Sequence, residues 1–218
     1  MSKTINRWLA HPAAKPVLWT LLALPLASLV WRAFQDALGA NPAEALIRSL
    51  GDWTLRGLVL TLAISPLRQW TGWNQLLRHR RAIGVATFCY ATLHWLSYAW
   101  LDQGLVWDDL VKDVAKRPFI LVGTTAWLLL LPLAATSFNR AIKALGAKRW
   151  QALHRAVYAI AVLAILHFFW MRSGKHLYGE VAIYAALMAV LLGWRVRERW
   201  MKRAPTPAPR RSTAVTPG

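Results

Sequence analysis

Residues 119–136 read FILVGTTAWLLLLPLAAT, eighteen positions without a charge and with Pro132 as the one helix-breaking residue type. A helix needs about 20 residues of this kind to cross the hydrocarbon core of a bilayer, so the stretch reads as a membrane span. Five more stretches share its character: Val17–Phe34, Trp53–Trp70, Ala82–Leu101, Ala152–Met171 and Val181–Trp194. Pro25 and Pro66 interrupt the first two, which is tolerated where neighbouring helices satisfy the freed backbone groups. Arg56 lies near one end of the second, and the last is short. The expected fold is all-α, a six-helix transmembrane bundle.

Composition agrees. Of 218 residues, 56% are hydrophobic and 17% charged, which excludes disorder for the bulk of the chain. The single cysteine, Cys89, excludes a disulfide scaffold. A net charge of +18 would suggest nucleic acid in a soluble protein. Here the basic residues punctuate apolar runs, so the expected partner is membrane lipid and not nucleic acid.

Sorted by loop, the charges orient the spans. Lys3, Arg7 and Lys15 precede the first span. Arg68, Arg78, Arg80 and Arg81 separate spans two and three, and Arg140, Lys143, Lys148 and Arg149 separate four and five, with no acid in either group. Arg195, Arg197, Arg199, Lys202, Arg203, Arg210 and Arg211 follow the sixth, with Glu198 the only acid. The alternate connections hold Asp36, Glu44, Asp52, Asp102, Asp108, Asp109, Asp113 and Glu180. The positive-inside rule then places both termini in the cytoplasm. Residues 1–203 are expected to form one membrane domain, and the Pro-, Thr- and Arg-rich residues 204–218 a disordered cytoplasmic tail. The first span lies too late, and is too long, for a cleaved signal peptide. Asp102–Arg117 is the longest extramembrane stretch and suits a short amphipathic segment on the outer surface. There is no glycine-rich phosphate loop, Cys-x-x-Cys pair or dinucleotide fingerprint, so no nicotinamide nucleotide site is expected.

The histidines carry the chemistry. His11 and His176 read as solvated, whereas His94 and His167 lie deep in apolar spans, where an imidazole must find a partner. Both spans start on the cytoplasmic side, and the two histidines fall within about one helical turn of the same depth. Neutral imidazole is a good iron ligand, and a bundle core offers a dry slot for a porphyrin. Without Cys-x-x-Cys-His, a b-type haem is what remains. His154 precedes His167 by 13 residues, ~20 Å on an ideal helix, which suits a second cofactor with His79 as a candidate opposite ligand. The competing account of each histidine is an interhelical hydrogen bond of ~1 kcal/mol. Ile83, Thr87, Ala91, Ser97 and Tyr98 share a helical face with His94. Arg80, Arg81 and Arg155 are candidates for the carboxylates of an inner haem and Arg172 for those of an outer one, against a simple topological role. Trp95, Trp127 and Trp170 are candidates for lining a slot, against ordinary packing.

These residues also carry a resemblance. Arg80-Arg81-Ala82-Ile83-Gly84, then Tyr90-Ala91-Thr92-Leu93-His94 and Ser97-Tyr98, resemble the third span of a ferric-reductase-like transmembrane domain. Trp150-Gln151-Ala152-Leu153-His154-Arg155, with Tyr158 and His167, resemble its fifth. Ser65-Pro66-Leu67-Arg68 with Gly72, Arg117-Pro118-Phe119-Ile120, and Pro132-Leu133-Ala134 with Thr136-Ser137 narrow the likeness to one family. It is that of the haem-binding membrane subunits of periplasmic protein-methionine-sulfoxide reductase systems (MsrQ, or YedZ), and it runs from about Trp8 to Arg199. The resemblance implies a multi-pass protein of the bacterial inner membrane that binds haem b, one or two, and FMN. It implies electrons taken from the respiratory quinone pool and passed to a periplasmic molybdopterin-containing subunit that reduces methionine sulfoxide in proteins. It therefore implies an electron-transfer subunit, not the catalytic one. The matching histidines are His94, His154 and His167. The superfamily carries two histidines on each of the two spans, whereas here Arg80 or Arg81 stands at the inner position of the third, beside His79. Three rival readings remain, of which one is a ferric or other small-acceptor reductase of the same fold and another a cofactor-free transporter using its histidines as proton relays. A third is an assembly subunit whose histidines only pack.

Overall fold

The computed structural model describes residues 2–173 and 178–202, in which all regular structure is helical. His176 and the expected tail, 204–218, lie outside these residues. In chain order the helices are α1 (Ser2–Ala10), α2 (Ala14–Phe34), α3 (Pro42–Thr71), α4 (Arg80–Ser97), α5 (Trp107–Lys116), α6 (Pro118–Ala135), α7 (Asn139–His154), α8 (Val157–Ser173) and α9 (Tyr178–Met201). A 3-10 turn, Asn74–Arg78, precedes α4, and a π turn, Tyr98–Asp102, follows it.

Local chemistry sets the helix ends. Asn41 caps α3, its side chain accepting from the Glu44 N–H at 3.1 Å, with Pro42 at the first helical position. The helix stops at Gly72, whose left-handed φ of 72° brings its N–H to the Arg68 carbonyl at 2.9 Å. Pro118 starts α6 and holds Arg117 extended before it.

The bundle is built on α3 against α4 and α6 against α8, joined by contacts of α4 with α6 and of α9 with α8 and α3. Its core includes Leu55, Leu58, Leu62, Leu130, Ile160 and Met188. Helix α2 leans on α3 and α4 from outside and buries only Leu29, leaving Trp19, Leu24 and Trp31 for lipid. Helix α5 lies across one end, with Leu110 packed on Tyr98, Ala99 and Ile120 and with Trp107 and Val111 exposed. This is the amphipathic segment expected between Asp102 and Arg117. Helix α1 lies across the opposite end, where Asn6 reaches the Gly72 carbonyl at 3.0 Å and accepts from the Gln75 N–H at 3.2 Å.

Two expectations need correction. Among the described residues, four helical stretches are long and apolar enough to cross a membrane: Ala14–Phe34, Pro118–Ala135, Asn139–Ser173 and Tyr178–Met201. Helices α3 and α4, the second and third of the six expected spans, are outside this set. The first carries Glu44, Arg48, Asp52, Arg56 and Arg68, and the second opens on Arg80 and Arg81, yet both sit at the centre of the bundle. The second correction concerns Arg195, read from sequence as a charge beyond the last span. Helix α9 runs on to Met201, and Arg195 is only 7% exposed inside the bundle. Its guanidinium donates to the Leu191 carbonyl at 2.9 Å and to the Leu62 carbonyl. In α3 the Leu62 carbonyl would normally take the N–H of residue 66, but that residue is Pro66 and has none.

Candidate functional site

Two cavities lie in the bundle, one toward α5 and one toward α1, and Leu58 and Leu130 belong to the walls of both. The cavity toward α5 has a volume of about 250 Å³ and holds His94 and His167. Their ring centroids are 6.2 Å apart, with planes at 74°. Two imidazoles sharing one metal atom through bonds of about 2.0–2.1 Å need a centroid spacing of roughly 6 Å.

The two histidines are held in the same way. His94 Nδ1–H donates to the Ile47 carbonyl at 2.8 Å, and His167 Nδ1–H donates to the Phe119 carbonyl at 2.7 Å. A carbonyl only accepts, so each Nδ1 carries the proton and Nε2 of the neutral ring keeps its lone pair. That is the tautomer a metal-ligating histidine needs, with the outer hydrogen bond fixing the ring's orientation. Each ring lies against a glycine four residues after its acceptor. A Cβ at Gly51 would come within 3.0 Å of His94 Cε1, and one at Gly123 within 2.8 Å of His167 Cε1. Without a side chain there, the imidazole can reach past the helix surface to the carbonyl of residue 47 or 119.

Around the pair the walls are apolar, with Leu55, Ala91, Ala126 and Ile160 among them. Trp95 and Trp127 stack at 4.5 Å and 8°, and each donates its indole N–H to a threonine, Thr124 at 3.3 Å and Thr92 at 3.1 Å. Among the described residues no three His, Cys, Asp or Glu side chains gather as metal ligands. Two imidazoles 6.2 Å apart in a largely apolar slot, with no cluster of three protein ligands among the described residues, fit a metal whose other positions are filled by a planar macrocycle. The residues present therefore fit haem.

The second cavity, of about 440 Å³, lies toward α1. Its walls include His154, Tyr158, Arg80, Arg81, Arg155 and Arg199, and among the described residues no acid lines it. His154 stacks on Trp150 at 4.0 Å, and its Nε2 is 3.0 Å from Thr136 Oγ1. Arg81 donates to Asn139 Oδ1 at 2.8 Å. His79 is not brought to this cavity. It is 8% exposed with Nε2 2.9 Å from the Leu9 carbonyl, because α1 folds over the loop that carries it. The candidate pairing of His79 with His154 is therefore not formed, and the ideal-helix count between His154 and His167 is broken by a turn at Arg155–Ala156.

Of the helical face expected around His94, Ala91 and Tyr98 line its cavity and Thr87 lines the other, while Ile83 and Ser97 line neither. Trp170 is on neither wall, and Arg172 is at the mouth of the first cavity, ion-paired with Glu180 at 3.0 Å and Asp52 at 3.6 Å. The sequence reading missed Gly51, Gly123 and the two backbone acceptors, as well as Arg199. The glycines were its only available sign of a close approach.

An all-helical membrane bundle with two facing imidazoles in an apolar slot defines a class, and comparison agrees: the family model described as "Ferric reductase like transmembrane component" matches residues 50–165. The chain is 57% identical over 197 residues to the protein-methionine-sulfoxide reductase heme-binding subunit MsrQ of Polaromonas naphthalenivorans, covering 90% of each chain. It is 50% identical to the MsrQ of Azospira oryzae, over 94% of this chain and 88% of that one, and 52% identical to that of Ralstonia nicotianae, over 86% and 87%. The chain belongs to the MsrQ family. No solved structure matches it.

Proposed function

We propose that this protein is a haem-binding electron-transfer subunit of the bacterial inner membrane. It draws electrons from the respiratory quinone pool and feeds a periplasmic molybdopterin-containing reductase that repairs methionine sulfoxide in proteins. The partner carries out the reduction of the sulfoxide. Membership of the MsrQ family supports this reading, and one observation carries it onto named residues: His94 and His167 face each other with Nε2 free and Nδ1 anchored.

When bound, a haem b supplies a one-electron couple at its iron. The protein's own residues do the rest. His94 and His167 would hold the haem iron, each kept in one tautomer by the Ile47 or Phe119 carbonyl. Leu55 helps to exclude water from the slot, and Leu58 and Leu130 form the partition toward the second cavity. In that cavity His154 is the proposed ligand of a second haem, and Arg80 and Arg81 meet its negative charge; His79 takes no part. FMN, which the family likeness also implies, belongs to the same proposal with no residue assigned to it.

The proposed topology has six spans, with α3 and α4 crossing inside the ring of more apolar helices. Both termini are cytoplasmic, so the α1 end is inner and the α5 end outer. The clustering of Lys and Arg in alternate loops supports this arrangement. The folded domain is taken as residues 1–203.

Absorption spectroscopy tests the reading. The protein purified from haem-replete cells should show a Soret band and, after dithionite, a sharp α band. His94→Ala and His167→Ala should each remove the signature of the outer site. A full-length, folded protein without either band would exclude the haem function.

A further inference from the structure

The sequence Arg117-Pro118 sets up an unusual side chain at the mouth of the His94–His167 cavity. Pro118 opens α6 and keeps Arg117 extended before it, and Arg117 lines the cavity. One end of it donates to the Asp113 carboxylate, which also accepts from the Tyr98 hydroxyl and, at 3.3 Å, from Gln103. The guanidinium carbon lies 5.7 Å from the centre of the Phe119 ring, the residue whose carbonyl holds His167. Arg117 Nε is buried and has no hydrogen-bond partner. The side chain as a whole is 41% exposed, but its buried Nε–H without an acceptor is costly, and an acceptor placed there removes that cost.

Two other arginines share the rim and are ion-paired as Arg117 is, but among the described residues neither has a buried N–H without a partner. Arg48 pairs with Glu44 at 2.5 Å, and Arg172 with Glu180 and Asp52. Asp52 and Asp102 also line the mouth and would repel an anion placed beside them. The charged groups all lie at this end, whereas Leu55, Leu58, Ala126 and Ile160 line the deeper wall. A ligand with a flat apolar body and one acidic edge matches this polarity in a single orientation.

Resting on the haem reading above, we propose that Arg117 anchors the carboxylate edge of the outer haem. Its free Nε–H donates to a propionate, and the acidic edge faces α5 while the apolar edge faces Leu58. Arg117 thereby joins two things otherwise separate in the chain: the buried slot and, through Asp113, the helix that covers it.

The test varies both partners of the contact. In a His154→Ala background, which leaves the outer site alone, the full chain from haem-deprived cells is titrated with ferric protoporphyrin IX and with its dimethyl ester, read at the Soret band. The background protein should bind the free acid about tenfold more tightly than the ester. Arg117→Gln should lose about that factor for the free acid and nothing for the ester, so the preference disappears. If the preference survives in Arg117→Gln, the anchor is elsewhere and the proposal falls. Should that variant not fold, Arg117→Lys, which keeps the charge but not the Nε–H, should show a reduced preference, and an undiminished one overturns the proposal equally. Failure of the background protein to bind either form would overturn the haem reading itself, and the anchor with it.

Discussion

The Arg195 guanidinium donates to the Leu62 carbonyl, the backbone acceptor that Pro66 leaves open in the middle of α3. A charge in a membrane helix is expensive unless it faces the bundle interior and finds partners. Arg195 finds two carbonyls and lies beside the Tyr158 ring at 5.6 Å. The cation and the proline are thus one device. In Pro66→Ala, the restored N–H of residue 66 takes the Leu62 carbonyl, so Arg195→Met should cost less there than in the parent. The difference should be about 1 kcal/mol, the net worth of such a hydrogen bond. Thermal unfolding of the four proteins of this cycle measures it. Additive effects would show that Arg195 does not serve the gap.

Gly51 and Gly123 do equivalent work beside the two proposed ligands, His94 and His167. Alanine at Gly123 puts a methyl group 2.8 Å from an imidazole carbon, closer than real contacts allow, and alanine at Gly51 puts one at 3.0 Å, a tight contact, so each ring must shift and strain or lose the hydrogen bond to its carbonyl. Loss of an outer hydrogen bond of this kind costs about 10–100-fold in metal affinity. Gly51→Ala and Gly123→Ala should therefore weaken haem binding by about that factor in a haem titration. Gly193→Ala, at a position with no atom within 4 Å and on the wall of neither cavity, should bind as the parent does.

What the sequence disclosed, and what it hid, follows from where the information sits. Hydrophobic runs are side-chain patterns, so all six appear as helices in the fold. Helix α3 begins at Pro42 and not near Trp53, because its first turns are charged and only the Asn41-Pro42 cap announces them. His94 and His167 were legible as a pair from their depth alone. Their acceptors were not, since Ile47 and Phe119 contribute backbone atoms that no side-chain pattern marks. His79 misled for a related reason: its neighbours along the chain point to the inner cavity, but α1, some 70 residues away in sequence, supplies its partner. Arg195 was counted with the tail because charge usually marks the end of a span, and the orphaned carbonyl that draws it inward belongs to another helix.

Asp113 gives a pH dependence with a defined sign. Burial raises its pKa, but hydrogen bonds from Arg117 and Tyr98 and the Arg117 charge outweigh that and hold the carboxyl below its ordinary range. A carboxylate with a depressed folded-state pKa stabilises the fold above its unfolded pKa of about 3.9 and loses that contribution as pH falls through the folded value. Asp113→Asn should therefore lower the unfolding temperature at pH 7. The gap from the parent should close in strongly acidic solution, below the depressed pKa. A gap that stays constant across this range would mean the carboxylate charge plays no part in holding α5.

His154 is the residue on which the proposed second haem is tested. Its cavity offers one imidazole, positive charge from Arg80, Arg81, Arg155 and Arg199, and no acid among the described residues. Such a site suits an anionic porphyrin with one protein imidazole. If it is a haem site, His154→Ala should lower the haem-to-protein ratio from about two to about one, while the spectrum assigned to His94 and His167 persists. His79→Ala should leave the ratio unchanged, since that imidazole serves the Leu9 carbonyl under α1. A parent ratio of about one, unchanged by His154→Ala, would assign His154 to its hydrogen bond with Thr136 and its stacking on Trp150 alone. Equal losses from His79→Ala and His154→Ala would instead require α1 to lift away, because only then can the His79 ring turn toward the inner cavity.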